Sequence, residues 1–158
     1  MRIRRARPED APRLHILAQR LNEGALPAWR DAAPLAQNLA EAEAGFFAPD
    51  ENRVLLVAAD AADVPQGFAQ AMMDREFFSG APLGHLLFLV TDATQERRGI
   101  GRQLVAAVED WARARGATGM ILYVFATDEG PRRVYHRLGF QEDMVTMVKP
   151  FAPGGAGN

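Results

Sequence analysis

The segment Arg97-Arg98-Gly99-Ile100-Gly101-Arg102 sets three arginines around two glycines spaced one residue apart. Glycine lets a backbone turn tightly and lets a ligand approach it closely. If a helix opens here, its first N–H groups have no internal partner. Together with the helix dipole they form an anion site suited to phosphate. The bland alternative is a strand-to-helix turn with a solvated basic edge. Two familiar phosphate motifs do not fit. The third glycine of Gly-x-Gly-x-x-Gly is replaced by Leu104, and no Gly-Lys-Ser/Thr follows four spacer residues. No histidine pair or acidic pair stands at metal-ligand spacing, so no metal is expected. His85 leads into an apolar run and carries a ring able to exchange a proton near neutral pH. Asp74, Glu76 and Asp92 lie near it in sequence, and each also reads as a solvated loop residue.

These groups need elements to position them. Residues 2–6 read as a first strand. Pro8-Glu9-Asp10 reads as a helix start, with Leu14, Leu17 and Leu21 at helical spacing and Gly24 as the stop. A second helix is predicted to begin near Pro34, with Leu35, Leu39, Ala42 and Phe46 on one stripe. Residues 54–59 and 67–72 read as a hairpin. Leu86-Leu87-Phe88-Leu89-Val90 reads as a central strand covered on both faces. From Gly99 to Arg115 the pattern is helical, with Ile100, Leu104, Val105, Val108, Trp111 and Ala112 on one face. Residues 120–126 are predicted as another central strand, 131–138 as a short helix, and 145–148 as a last strand. The order predicts an α/β fold with a mixed sheet flanked by helices.

Composition narrows the function classes. With 158 residues, one domain over 1–150 is expected, followed by a flexible Gly/Pro tail over 151–158. The apolar fraction is 48% and the charged fraction 24%, ordinary for a globular chain. Lys plus Arg is 18 and Asp plus Glu is 20, so the net charge of −2 gives no global basic excess for nucleic acid. No apolar run reaches the ~18 residues of a membrane span, and Pro8-Glu9-Asp10 stands where a signal peptide would have its apolar stretch. A cytoplasmic location is expected, with neither membrane nor nucleic acid as partner. The chain has no cysteine, which excludes a Cys-bound acyl intermediate.

Among common phosphate ligands the pyrophosphate of coenzyme A remains. Two motifs carry a resemblance here. Glu96-Arg97-Arg98-Gly99-Ile100-Gly101 is similar to the Gln/Arg-x-x-Gly-x-Gly/Ala motif of the GNAT superfamily of acetyl-CoA-dependent N-acetyltransferases. Residues 128–140, with Tyr135, Leu138, Gly139 and Phe140, resemble that family's Asn-x-x-Ala-x-x-Leu-Tyr-x-x-x-Gly-Phe signature. Three positions depart from it: Glu96 replaces Gln or Arg, Asp128 replaces Asn, and Pro131 replaces Ala.

The resemblance implies a GNAT-like fold and direct transfer of acetyl from acetyl-CoA to a primary amine of a small molecule or protein. It implies cofactor contacts at Leu89, Val90, Thr91, Arg97, Arg98, Gly99, Ile100, Gly101, Arg102, Asp128, Arg132 and Tyr135. It also places the Tyr135 phenol where it can protonate the departing CoA thiolate; by itself Tyr135 reads as a packing residue beside Val134 and Leu138. Many relatives draw a general base from the fourth strand as a Glu. Leu86 and Leu87 occupy that region, which leaves His85 as the candidate base. Phe77-Phe78-Ser79-Gly80-Ala81-Pro82 reads either as an acceptor wall or as a hairpin loop, and Trp29 either as acceptor wall or as core. Arg13, His15 and Arg20 read as a solvated helix face. Relatives are often dimers, so a homodimer is open. A non-catalytic CoA-binding or regulatory domain of the same fold is the alternative.

Overall fold

The computed structural model describes residues 1–95 and 98–151. Glu96, Arg97 and the expected tail beyond Phe151 lie outside the described residues. Five strands form one mixed sheet in the order β1 (Arg2–Arg5), β2 (Arg53–Ala59), β3 (Pro65–Arg75), β4 (Pro82–Thr91), β5 (Gly119–Ile121). The first four pair antiparallel, and β5 runs parallel to β4. The helices are α1 (Ala11–Ala18), α2 (Ala32–Ala44), α3 (Ile100–Arg113) and α4 (Glu129–Arg137).

Both faces of the sheet are covered, which is why β2 is apolar at nearly every position. Val54, Leu56 and Ala58 join Ala69, Ala71 and Leu86 against Ile100, Leu104, Val105 and Val108 of α3. Leu55 and Val57 join Phe68 and Val90 on the other face, against Leu14, Leu17 and Ala18 of α1 and against Phe46. Phe46 meets Phe68 edge-on with 5.5 Å between ring centroids. The α3 stripe expected from the sequence is the buried one: Ile100, Leu104, Val105, Val108 and Ala112 are all buried.

A buried ion pair ties the first strand to the first turn. Arg4 donates from Nη1 and Nη2 to the two carboxylate oxygens of Asp10 at 2.7 and 2.9 Å. The Arg7 backbone N–H donates to the same carboxylate at 2.8 Å. The Arg4 guanidinium is the main cause that holds the Asp10 carboxyl below its usual range. Asp31 caps α2 by accepting from the Ala33 N–H at 3.0 Å, so that helix starts at Ala32, ahead of Pro34.

Two expectations need correction. The strand expected over 120–126 is only Gly119–Ile121 and lies at the sheet edge. Its pairing with β4 ends at His85↔Ile121, after which the chain leaves the sheet toward a different partner. Thr127 Oγ1 donates to the Ala25 carbonyl at 2.6 Å, drawing this segment to the α1–α2 connection. The strand expected over 145–148 does not form: none of the described residues beyond Arg137 lies in a helix or strand. Met144, Val145 and Met147 are 61%, 80% and 91% exposed. An apolar, β-branched run becomes a strand only when a neighbouring ladder and surface accept it, and β5 offers just three residues of ladder.

Candidate active site

Below β4 and β5 the sheet is closed; above their last pair it opens. The parallel register is Leu83↔Gly119, Gly84↔Met120 and His85↔Ile121, and then the strands part. On the opposite edge of β4 the register with β3 slips, so that Gln70 faces Phe88 while Ala71 faces Leu86. Leu87 is the extra residue of a β-bulge, which bends a strand and re-aims its side chains. The result is a fork whose apex is at His85 and Ile121.

The glycine turn stands at the top of β4. Gly99 has φ +75°, the left-handed conformation that glycine adopts without strain. A Cβ added there would meet nothing within 4 Å among the described residues, so the turn is open toward them. The first helical hydrogen bond of α3 runs from Gln103 N–H to the Gly99 carbonyl at 3.1 Å, which leaves the N–H groups of Ile100, Gly101 and Arg102 without an intrahelical partner. A Cβ at Gly101 would lie 3.9 Å from Leu89 Cδ2 and from Thr91 Cγ2, so the helix start sits directly over the end of β4. Arg98 and Arg102 are exposed. Ile100 and Val90 are buried in the two cores, so each has only its backbone to offer a ligand. Arg97 lies outside the described residues.

Sequence spacing missed two groups at this end. Arg13 and Arg20 read as a solvated face, yet both reach the end of β4. Arg20 donates to the Thr91 carbonyl, and Arg13 pairs with Asp92 and donates to the Pro65 carbonyl at 3.0 Å. Only contacts across the fold show this. His15 does keep to the surface and meets Glu43 at 2.7 Å. Asp92 accepts from the Thr94 hydroxyl at 2.6 Å and the Thr94 N–H at 2.8 Å. These bonds, with Arg13, push its carboxyl pKa down from 3.8 to about 2. A depressed carboxylate stabilises the fold above its unfolded pKa, and that share is lost as pH falls through the folded value. In Asp92→Asn, folding stability therefore becomes flatter between pH ~4 and ~2 than in the parent. Urea unfolding midpoints across that window measure it; identical slopes would remove Asp92 from the acid response.

Tyr135 lies on α4, packed edge-on against Phe140 with 5.9 Å between ring centroids. Burial pushes its phenol pKa up, and the charge of Asp128 adds to that. The hydroxyl therefore stays protonated at neutral pH, as a proton donor must. Asp128 precedes α4 but does not cap it with its side chain. Its carboxylate is turned toward Gly24, where an added Cβ would lie 2.8 Å from Oδ2. Arg132 donates to the Ala126 carbonyl at 3.0 Å and pairs with Glu142.

His85 is at the fork apex, its side chain 13% exposed. Leu86, the next residue, packs into the α3-side core that Tyr135 also borders. Alternation along the strand puts His85 on the other face. The imidazole and the Tyr135 ring thus lie on opposite faces of the sheet. The Tyr123 ring meets the His85 ring edge-on at 5.0 Å. Trp29 is half-exposed, with the Arg30 guanidinium 4.3 Å over its ring and 5.2 Å from that of Phe125. Phe77 and Phe78 are exposed at the tip of the β3–β4 hairpin, which Glu76 closes by accepting from the Phe78 and Ser79 N–H groups.

A five-stranded mixed sheet that forks between β4 and a parallel β5, with a glycine turn over one arm, defines an acyl-CoA N-acyltransferase fold. Residues 12–140 match the acetyltransferase (GNAT) family, and the chain belongs to that family. Its members use acetyl-CoA as acyl donor. The chain is similar to an aminoglycoside N(6')-acetyltransferase type 1 from Stenotrophomonas maltophilia, 30% identical over 147 residues that cover 89% of this chain and 86% of the other. Its fold is similar to a tetramutant protein from Bacillus halodurans, with TM-score 0.76 and 19% identity over 96% of this chain and 100% of that one. A glucosamine-6-phosphate N-acetyltransferase from Arabidopsis thaliana gives TM-score 0.64 and 17% identity over 96% and 98%. The open turn at Gly99, the first N–H groups of α3 and the exposed Arg98 and Arg102 fit the phosphates of such a donor. No described helix is long and apolar enough to cross a membrane.

Proposed function

We propose that this chain is an N-acetyltransferase that moves acetyl from acetyl-CoA directly to a primary amine. The observation that carries this reading is the fork, with a glycine turn above it and His85 at its apex, while the protonated Tyr135 phenol borders the core on the other face of the sheet. Acetyl-CoA supplies an activated acetyl thioester. The N–H groups of Ile100 and Gly101, with Arg98 and Arg102, hold its phosphates, and Leu89 and Thr91 border its arm. His85 accepts one proton from the incoming ammonium, which frees the nitrogen lone pair to form the N–C bond. Tyr135 gives its phenolic proton to the sulfur as the C–S bond breaks. A second proton from the original ammonium restores the phenol, and His85 returns its own proton to water. The 30% identical aminoglycoside acetyltransferase makes aminoglycosides the first acceptors to assay.

Two measurements test this. A ligand bound only to the native state stabilises it by about 2.7 kcal/mol at a hundredfold excess over Kd. For a chain of this size that raises the melting temperature by about 5–10 °C. Acetyl-CoA is expected to give such a shift and then to release free CoA with members of an amine panel. No shift at millimolar acetyl-CoA would overturn the donor assignment. A shift without CoA release from any amine would instead favour the non-catalytic CoA-binding domain.

A further inference from the structure

We propose that Asp74 is a positioning residue for His85: its carboxylate holds the imidazole as the Nδ1–H tautomer, which leaves Nε2 as the proton acceptor at the fork. The proposal rests on the reading of His85 as the base, and no sequence motif includes Asp74. Asp74 is on β3 and His85 on β4, with Asp74↔Leu83 and Met72↔His85 as the registered pairs. The two residues are thus diagonal neighbours on one face, close enough for long side chains to meet. Asp74 Oδ2 lies 3.3 Å from His85 Nδ1. The other oxygen, Oδ1, accepts from the Arg75 N–H at 2.7 Å, which fixes the orientation of the carboxylate. The Tyr123 ring stands edge-on to the imidazole, at an interplanar angle of 83°. The ring is therefore bounded by a carboxylate and an aromatic at the point where β4 and β5 separate.

The chemistry follows from the two nitrogens of imidazole. In the neutral ring one nitrogen carries the proton and the other accepts. A carboxylate beside Nδ1 favours the proton there and so exposes the Nε2 lone pair. When Nε2 takes the ammonium proton, the same carboxylate faces the imidazolium that forms. This is the role that aspartate plays beside histidine in serine hydrolases, reached here on an unrelated fold. Asp74 acts through His85.

The test uses Asp74→Asn, which keeps size and shape and removes the charge. Proton transfer by a positioned side chain contributes ~10²–10⁴-fold, and loss of its orienting partner is expected to forfeit about tenfold to a hundredfold in kcat. The amine KM and the acetyl-CoA Kd should stay within about twofold. Nitrogen-15 NMR of the imidazoles gives a readout that needs no turnover. The chain has 3 histidines, and His85→Gln assigns the His85 signals by their disappearance. The parent is expected to show Nδ1 protonated, and Asp74→Asn to move the ring toward Nε2–H. Asp74→Glu should restore part of both. An unchanged tautomer, or a changed tautomer with unchanged kcat, overturns the role of Asp74. His85→Gln with parental kcat would instead overturn His85 as the base, and that result is separable because it leaves the tautomer measurement standing.

Discussion

Tyr135→Phe lowers kcat about tenfold to a hundredfold while acetyl-CoA affinity and melting temperature stay near those of the parent. The magnitude comes from the ~10²–10⁴-fold worth of general acid catalysis, taken at its low end because a CoA thiolate leaves readily and water can replace the phenol. The separation of effects comes from the structure. The Tyr135 ring packs edge-on against Phe140, and phenylalanine keeps that contact. Only the O–H is lost, and burial holds that O–H protonated. An interaction made only in the transition state lowers kcat and leaves donor affinity intact. Melting temperature, acetyl-CoA Kd and kcat on one variant decide the matter. Parental kcat on a good acceptor, with chemistry rate-limiting, would remove Tyr135 from the mechanism and leave the glycine turn untouched.

Leu104→Ala lowers folding stability substantially. Leu104 is fully buried and is the residue of α3 one turn below the helix's first N–H groups. Truncating a buried leucine removes its transfer energy and leaves a cavity, at a cost of about 2–5 kcal/mol. For a chain of this length that lowers the melting temperature by about 5–20 °C. Chemical denaturation with an unchanged m-value measures the loss. A cost below about 1 kcal/mol would mean that the site collapses around the smaller side chain more fully than buried leucine sites usually do. Acetyl-CoA should still raise the melting temperature of the folded variant, because the Gly99 turn is outside the excavated region.

The parts of the molecule that were legible in the sequence are those decided by one segment alone. The α3 stripe from Ile100 to Ala112 was readable because its apolar and charged positions separate cleanly at a period of 3.6 residues. The left-handed Gly99 was readable because glycine is the residue that takes that conformation freely. Where pairing decides, local pattern misled. Residues 120–126 and 145–148 have strand composition, but the first parts from β4 after Ile121, and the second joins no ladder among the described residues. The site divides in the same way. Tyr135 and the Gly99-Ile100-Gly101 turn came from motifs. Arg13 on α1 and Arg20 just after it meet Asp92 and Thr91 more than seventy residues away, and Asp74 meets His85 only through the register of a bulged hairpin. Spacing along the chain carries no information about such meetings.

The connection over residues 24–31 and the one over 122–128 are fastened twice, by the Thr127 hydroxyl on the Ala25 carbonyl and by the Arg30 guanidinium between Trp29 and Phe125. For anyone exchanging these connections with those of another family member, this sets the size of the transplant. A chimera that imports the first connection alone discards the guanidinium that Phe125 was shaped to receive. One that imports the second alone leaves Arg30 over a missing ring. The exchangeable unit is the pair, two stretches separated by about ninety residues of sequence but acting as a single cassette.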